Sequence, residues 1–127
     1  MSKMTPRRFA ILEVIRTSNS HPTAFEVYDL VRRRMPRISM GTVYRNLDIL
    51  TEMELVTTVE GGHQRRYEVT EHPHYHIRCI RCDALIDAPI DVDTELENKV
   101  QRATHWEIIG HKTEFYGLCP LCRNNSK

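Results

Sequence analysis

The chain has 127 residues, a formal net charge of +1, 40% hydrophobic residues and 28% charged residues. This length suits one domain or two small ones, and the near-zero charge means that any nucleic-acid binding must come from a local basic patch. No apolar run approaches about 20 residues and no secretory signal is recognisable, so we expect a cytoplasmic chain without a membrane span. In that compartment the four cysteines indicate metal or redox chemistry before structural disulfides.

The first half of the chain has the pattern of three helices. Pro6 lies near the first helical position, and apolar residues at helical spacing follow it. Thr23 and Ser39 can cap the second and third helices, and Pro36 prevents the second helix from continuing. The predicted ranges are residues 5–18, 23–35 and 39–53.

A β-hairpin is predicted directly after the third helix. Two strand-like runs, residues 55–59 and 65–69, flank Gly61-Gly62. Three helices followed by a hairpin is the order of a winged helix, which offers its third helix to the DNA major groove. We therefore predict a winged-helix DNA-binding domain over residues 1–70.

The composition changes at residues 70–73, where we place a hinge. Beyond the hinge, strand and helix patterns alternate and predict a small α/β domain over residues 71–127. Leu96, Val100 and Ala103 recur at i, i+4 and i+7 and mark its helix. Its strands are predicted over residues 74–80, 84–88 and 113–118. With the winged helix, this domain makes the chain an α+β protein.

The four cysteines form two CxxC pairs, Cys79-x-x-Cys82 and Cys119-x-x-Cys122. Each pair bends into a knuckle that offers two thiolates to one metal, and two knuckles make a closed tetrahedral site that suits zinc. A closed site leaves no open position for catalysis. We therefore predict a structural zinc ion that joins the end of the chain to the strand at Cys79 and stabilises a small domain.

Two other classes of protein use part of this pattern. Cys119-Pro-Leu-Cys122 resembles a thiol-oxidoreductase motif, which would make the chain a redox protein or a metal carrier. His105-Trp-Glu107 ahead of that pair partly matches the signature of zinc deaminases. In that signature a proline precedes the CxxC, whereas here Pro120 lies inside it, and the first CxxC pair would have no role. The structural zinc site is therefore the preferred interpretation.

A second metal site is indicated by His74-x-His76. Side chains alternate along a strand, so both histidines share one face and Cys79 lies on the other. Two or three imidazoles with carboxylates suit Fe(II), Mn(II), Zn(II) or Co(II). His72 is expected to be solvent-exposed. The candidate partners are His21, Glu68 and Asp87, and the remaining histidines, His63, His105 and His111, are expected to be surface or hydrogen-bonded rings.

These candidate ligands come from both predicted domains. His21 and Glu68 belong to the first, and His74, His76 and Asp87 belong to the second. A ligand shifts a conformational equilibrium by its differential affinity for the two states. An ion that needs all of these groups would therefore lock the two domains at one angle, and this would couple metal binding to DNA binding.

The candidate DNA contacts lie on the third helix and on the wing. Val43, Leu47 and Leu50 form an apolar stripe that is expected to face the core, so side chains off this stripe face outward. Arg45 suits a guanine edge or a phosphate, and Tyr44 suits a thymine methyl group. The candidates are Thr42, Tyr44, Arg45 and Asn46 on the helix, with Arg65 and Arg66 on the wing.

Several motifs along nearly the whole chain resemble the ferric-uptake-regulator family. They are Thr5-Pro-Arg-Arg8, His21-Pro-Thr-Ala24, Thr42-Val-Tyr-Arg-Asn-Leu47, Glu60-Gly-Gly62, His74-x-His76 and the two CxxC pairs. The resemblance implies a homodimeric, metal-dependent repressor that binds palindromic double-stranded DNA, with a C-terminal dimerisation domain and zinc on the four cysteines. It implies Fe(2+) or Mn(2+) at a regulatory site, whose ligands by position are His21, Glu68, His74, His76 and Asp87.

The resemblance also bears on which signal is sensed. Iron-uptake regulators have an additional site, whose positions here are Pro73, Tyr75 and Leu118, none of them a good ligand. The absence of ligands for this additional site, and the presence of Asp87, resemble the peroxide-responsive branch of the family. In that branch Fe(II) reacts with hydrogen peroxide and a ligand histidine is oxidised. By position that histidine is His21 or His74. Glu68 is instead similar to the iron-uptake type, so a repressor that senses iron or zinc availability is the alternative.

Overall fold

The computed structural model describes residues 3–18, 21–70 and 73–125. The chain forms two compact units, Met1–Glu71 and His72–Lys127. Positions 71 and 72 of the predicted hinge lie outside the described residues, and so does the exposure expected of His72. Helices and strands occur together, which confirms the α+β class. None of the described helices is long and apolar enough to cross a membrane.

The first unit consists of the predicted three helices and hairpin, in the order of a winged helix. Thr5, Thr23 and Ser39 cap the three helices, and each side-chain oxygen accepts a hydrogen bond from a backbone N–H in the first turn. Glu26 also accepts from the Thr23 N–H and completes a capping box. The elements are α1 (Pro6–Thr17), α2 (Ala24–Val31), α3 (Met40–Glu52), β1 (Val56–Val59) and β2 (Arg66–Val69).

Helix α2 ends at Val31, about one turn before the predicted end. The N–H groups of Arg34 and Met35 both donate to the Val31 carbonyl, at 2.9 Å each, and this turn satisfies the end of the helix. Met35 still packs against the core although it lies outside the helix. The apolar spacing therefore predicted its burial correctly but not its backbone conformation.

The core of the first unit takes side chains from all of its elements. Ile11, Val27, Val43, Leu47 and Leu50 are fully buried and come from the three helices. Val56 and Tyr67 extend this core onto the antiparallel β1–β2 hairpin. At its turn Gly61 and Gly62 have φ of 98° and 64°, a left-handed backbone that favours glycine. The predicted hairpin is therefore present, with each strand one residue shorter at its start.

The second unit is a three-stranded sheet with two short helices. Its elements are β3 (His76–Cys79), β4 (Leu85–Asp87), α4 (Leu96–Thr104), β5 (Glu114–Gly117) and α5 (Pro120–Asn124). The central strand β3 pairs antiparallel with β4 and parallel with β5. Helix α5 was not predicted, although Cys119 as the cap and Pro120 at the first position are a recognisable start signal.

The second unit has a small core for its size. Among its described residues the buried apolar side chains are Tyr75, Cys79, Leu85 and Ala88, and α4 buries none of its own residues. Arg78 is 5% exposed and donates to Asp83 and Glu114, at 3.0 and 3.1 Å. The Glu114 carboxylate raises the pKa of Arg78 above its usual value, so this buried guanidinium is charged. A unit built in this way needs a further source of stability.

Candidate metal centres

The four cysteines converge in the second unit. Cys79 ends β3, Cys82 follows in the next turn, Cys119 caps α5 and Cys122 lies within it. Their sulfur atoms all lie within 4.8 Å of one another, and the Cys82 and Cys119 sulfurs are 3.8 Å apart. Four sulfurs held about 2.3 Å from one zinc ion would be about 3.8 Å apart. The donor set and its spacing therefore fit a tetrahedral zinc ion.

The thiols of this cluster differ in acidity. The backbone N–H groups of Cys82 and Cys119 lower the pKa of Cys79 to about 6, because they favour its thiolate. The neighbouring sulfur of Cys119 and the loss of water raise the pKa of Cys122 to about 12. The protein's own hydrogen bonds thus favour the thiolate at Cys79 and the neutral thiol at Cys122. Four thiolates this close together repel one another unless a cation binds them. A divalent metal ion would therefore stabilise the cluster in its ionised form.

A second group of metal-capable atoms lies at one end of the β3–β4 strand pair. Strand pairing sets His76 opposite Asp87, and His74 lies just before the start of β3. The Nε2 atoms of His74 and His76 are 3.2 Å apart, and Asp87 Oδ1 is 3.3 Å from the first and 3.7 Å from the second. Two imidazole nitrogens and a carboxylate oxygen therefore point toward one place.

His21 and Glu68 form a third cluster, within the first unit. His21 Nε2 is 3.0 Å from Glu68 Oε2, and both side chains are largely buried. The loop at His21 is held against β2, because the Tyr67 N–H donates to the Pro22 carbonyl and Arg66 donates to the His21 carbonyl. His21 also has φ of 53°, a left-handed backbone that costs about 1–3 kcal/mol at a non-glycine residue. The fold thus holds this histidine beside a carboxylate at some cost in strain.

The predicted DNA-reading residues of α3 are not all on its exposed face. Tyr44 and Arg45 are exposed, and Thr42 is half-buried. On the wing, Arg65 is exposed and pairs with Glu60 at 3.0 Å. The exposed candidates of the helix are therefore centred on Tyr44 and Arg45.

The expected outward position of Asn46 is corrected by the structure. Asn46 is only 7% exposed, its Oδ1 accepts from Arg8 Nε at 2.9 Å, and its Nδ2 donates to the Thr42 carbonyl at 2.9 Å. The helical spacing placed it off the apolar stripe, but α1 covers that side through Arg8. The oxygen and the nitrogen of its side-chain amide are therefore both hydrogen-bonded to other residues of the first unit.

The ferric uptake regulator family model matches residues 1–116. The chain belongs to the ferric uptake regulator family. The resemblance found in the sequence motifs is therefore confirmed. The chain is therefore a metal-responsive regulator, and because members of this family are transcription regulators, membership supports the prediction that it is not an enzyme.

Within the ferric uptake regulator family, relatives named as peroxide-responsive regulators and relatives named as ferric uptake regulators both resemble the chain. The peroxide-responsive repressor PerR of Staphylococcus epidermidis is 34% identical over 122 residues, which are 95% of this chain and 81% of that protein. The structure of the Helicobacter pylori ferric uptake regulator, described as having three functional metal binding sites, matches with a TM-score of 0.83 and 26% identity over 95% of this chain and 82% of its own. The Campylobacter jejuni peroxide stress regulator matches with a TM-score of 0.76 and 25% identity over 92% of this chain and 89% of its own.

One polar network of this ferric uptake regulator family member was not found from its sequence. The Tyr75 hydroxyl lies 2.8 Å from His111 Nε2 and accepts from the Asp93 N–H at 2.9 Å, and His111 Nδ1 contacts the Glu97 carboxylate. The sequence predicts that His111 is either a surface ring or a hydrogen-bonded ring, and the structure shows the hydrogen-bonded ring. His111 is 36 residues from Tyr75 and carries no motif spacing, so no local signal identified the network.

Proposed function

We propose that this chain is a metal-dependent transcriptional repressor that binds palindromic operator DNA as a homodimer and senses hydrogen peroxide through a regulatory Fe(2+) or Mn(2+) site. The observation that carries the proposal is the convergence of His74, His76 and Asp87 on one place, with Nε2 atoms 3.2 Å apart. The similarity to peroxide-responsive repressors supports the choice of signal.

The proposed metal chemistry divides between two sites. Cys79, Cys82, Cys119 and Cys122 would hold a structural zinc ion. His21 and Glu68 from one unit and His74, His76 and Asp87 from the other would together ligate the regulatory ion. Mixed imidazole and carboxylate donors suit iron and manganese better than a thiolate set does. The ion would favour the chain conformation in which all of its ligands can be used, and so would promote DNA binding.

Peroxide sensing would depend on the histidines of the regulatory site. An Fe(2+) ion held by these ligands would activate hydrogen peroxide, so that one peroxide oxygen is inserted into a ligand histidine and the other leaves as water. His21 and His74 are the proposed oxidation-sensitive residues, and their side chains are 8% and 19% exposed. The buried setting keeps both rings away from bulk water. A modified ring would no longer donate its nitrogen to the metal, and the repressor would release DNA.

A repressor that senses iron or zinc availability is the second candidate function. Glu68 supports it, because glutamate at this position is similar to the iron-uptake type. Zinc enzymes and thiol redox or carrier proteins are less compatible with the site, since the four sulfurs are spaced for one closed tetrahedral ion. His105, which the deaminase reading needs, is not among the described candidate ligands beside them.

Several features support the proposed partners. The second unit exposes large apolar side chains, including Ile80, Trp106, Ile109, Tyr116 and Leu121, each more than 60% exposed. Such surfaces mark protein interaction sites, and we propose that the second unit, His72–Lys127, forms the homodimer interface. A two-fold dimer would present two copies of α3, with Tyr44 and Arg45, to a palindrome. Because its target is DNA, we propose that the chain acts in the cytoplasm.

The proposal is tested by metal titration of DNA binding with His76→Ala. The probe is a 30-base-pair duplex enriched from a random pool by the Mn(II)-loaded protein, and fluorescence anisotropy measures its affinity. We expect wild-type affinity to rise with Mn(II), whereas His76→Ala should keep its zinc but lose the response. His105→Asn is the control, since it removes an exposed histidine while asparagine tolerates the left-handed backbone there. A His76→Ala protein that still responds to Mn(II) would contradict the ligand assignment.

A further inference from the structure

The strands of the second unit place a row of polar side chains across one face of the sheet. His76 on β3 is the register partner of Asp87 on β4 and of Glu114 on β5. Paired residues of neighbouring strands have their side chains on the same face, and such strands lie about 4.8 Å apart. His76 therefore has a residue with a carboxylate next to it on each side.

Asp87, but not Glu114, contributes to the convergent atoms of the candidate regulatory site. Asp87 Oδ1 lies 3.3 Å from His74 Nε2 and 3.7 Å from His76 Nε2. Glu114 is not among the described residues whose donor atoms gather there. Its two oxygens instead accept hydrogen bonds from the Arg78 guanidinium, from Nε at 3.1 Å and from Nη2 at 3.2 Å. Arg78 thus draws the Glu114 carboxylate along the sheet, toward itself.

Arg78 is held in place by a second carboxylate. Its Nη1 donates to Asp83 Oδ1 at 3.0 Å, and the two side chains are 6% and 8% exposed. Asp83 follows the first CxxC pair with a φ of 66°, and its N–H donates to the Cys79 carbonyl at 3.0 Å. Because a planar guanidinium with charge-assisted hydrogen bonds to two carboxylates has little freedom to turn, Arg78 is a fixed anchor for Glu114.

Stability alone is a weak reason for such a buried network. The loss of water around three charged groups offsets much of their attraction, and apolar side chains of similar volume often stabilise a core equally well. The network does control how many carboxylates are available beside His76. Imidazole ligands suit Ni(II) and Zn(II), while carboxylate oxygens suit Mn(II). The number of carboxylates at this place therefore affects which ion the site prefers.

We propose that Arg78 is a specificity-determining residue of the regulatory site, because it withholds the Glu114 carboxylate from the ion and leaves Asp87 as the carboxylate ligand from this sheet. This inference rests on the proposed function, since it concerns the ion that His74 and His76 would bind. Arg78 acts through Glu114 and does not touch the ion. Glu114 is 37% exposed, so without Arg78 its side chain has room to turn toward His76 and add an oxygen ligand.

The test is a double-mutant cycle on Glu114, measured as the Mn(II) dissociation constant of the zinc-loaded full chain. Arg78→Met/Asp83→Asn releases Glu114 and removes one positive and one negative charge, so the net charge is unchanged. Glu114→Gln is then made in this released background and in the wild type. It removes the same charge in both, so the long-range attraction for the ion falls equally. We expect Glu114→Gln to weaken Mn(II) binding about tenfold more in the released background.

Ion preference separates this role of Arg78 from a purely structural one. The ratio of Mn(II) affinity to Ni(II) affinity should rise when Glu114 is released and return to the wild-type ratio when Glu114→Gln is added. A loosened fold would weaken the binding of both ions and leave that ratio unchanged. Arg78→Lys is a second background if the double variant melts below the assay temperature. Lysine keeps the buried charge but cannot bind both Glu114 oxygens as the guanidinium does, so the same direction of change is expected.

The outcomes distinguish the role of Arg78 from the regulatory site itself. A larger effect of Glu114→Gln in the released background, with the raised Mn(II) to Ni(II) ratio, would support the inference. Equal effects in the two backgrounds and an unchanged ratio would overturn it, and the proposed regulatory site would stand. Wild-type Mn(II) binding that survives His76→Ala would instead refute the regulatory site, and the role of Arg78 with it.

Discussion

Replacing Cys82 with serine removes one of the four sulfurs that the fold gathers within 4.8 Å. The remaining three are a poor site for a structural zinc ion, which takes four protein ligands. Cys82 is exposed and its side chain adds little to the core, so the change itself removes almost no packing. Any large loss of structure in Cys82→Ser would therefore be due to the lost metal.

The size of that loss follows from the small core of the second unit. Its buried apolar side chains among the described residues are Tyr75, Cys79, Leu85 and Ala88. Structural zinc contributes about 10–16 kcal/mol in small domains at neutral pH, whereas a whole domain is stable by about 5–15 kcal/mol. We expect the second unit to unfold without zinc. The first unit, with a core drawn from three helices and a hairpin, should remain folded.

Amide hydrogen exchange measured by peptide mass spectrometry resolves the two units, and elemental analysis gives the zinc content. In Cys82→Ser, the amides of β3 and β5 should lose protection, and those of α1 and α3 should keep it. The dimer should dissociate at the same time. Arg81→Ser is the matched control, since it changes an exposed neighbour in the same turn and should retain zinc. Protected β3 and β5 amides in zinc-free protein would show that the second unit folds without the metal.

Three smaller predictions concern single contacts. Arg8→Ala leaves the buried Asn46 amide without its partner on α1, which should cost about 1–3 kcal/mol and lower the melting temperature, whereas Arg7→Ala should not. Leu47→Ala, at a fully buried position, should cost about 2–5 kcal/mol in denaturant unfolding of the first unit. Tyr75→Phe removes the hydroxyl bonded to His111 and should weaken Mn(II) binding by about tenfold in a metal titration, since the segment that carries the paired histidines is less firmly held. Unchanged Mn(II) affinity would contradict that role.

The local signals in the sequence predicted the elements of the first unit well. Thr5, Thr23 and Ser39 are helix caps because their hydroxyl groups bond to N–H groups in the next turn, an interaction that is complete within four residues. The CxxC pairs likewise identified the sulfur cluster, since each pair is a local knuckle. Signals of this range need no knowledge of the tertiary fold.

Interactions between distant parts of the chain were harder to predict. The Arg8–Asn46 bond spans 38 residues, and nothing in the sequence near Asn46 indicates that α1 covers it. The bond from Tyr75 to His111 spans 36 residues and forms only because β5 lies parallel to β3. The early end of α2 has the same cause, because tertiary packing buries Met35 without extending the helix. Periodicity predicts which residues are buried better than it predicts which polar groups meet.

We propose that a regulatory iron site makes this ferric uptake regulator family member sensitive to peroxide. The most direct test is anaerobic loading with Fe(II), a brief pulse of hydrogen peroxide, and peptide mass spectrometry alongside a DNA-binding assay, with Mn(II)-loaded protein as the control. We expect one added oxygen on His21 or His74 in the iron-loaded protein alone, together with loss of DNA binding. Intact histidines and unchanged DNA binding after the pulse would contradict it and would favour a repressor that reads metal availability.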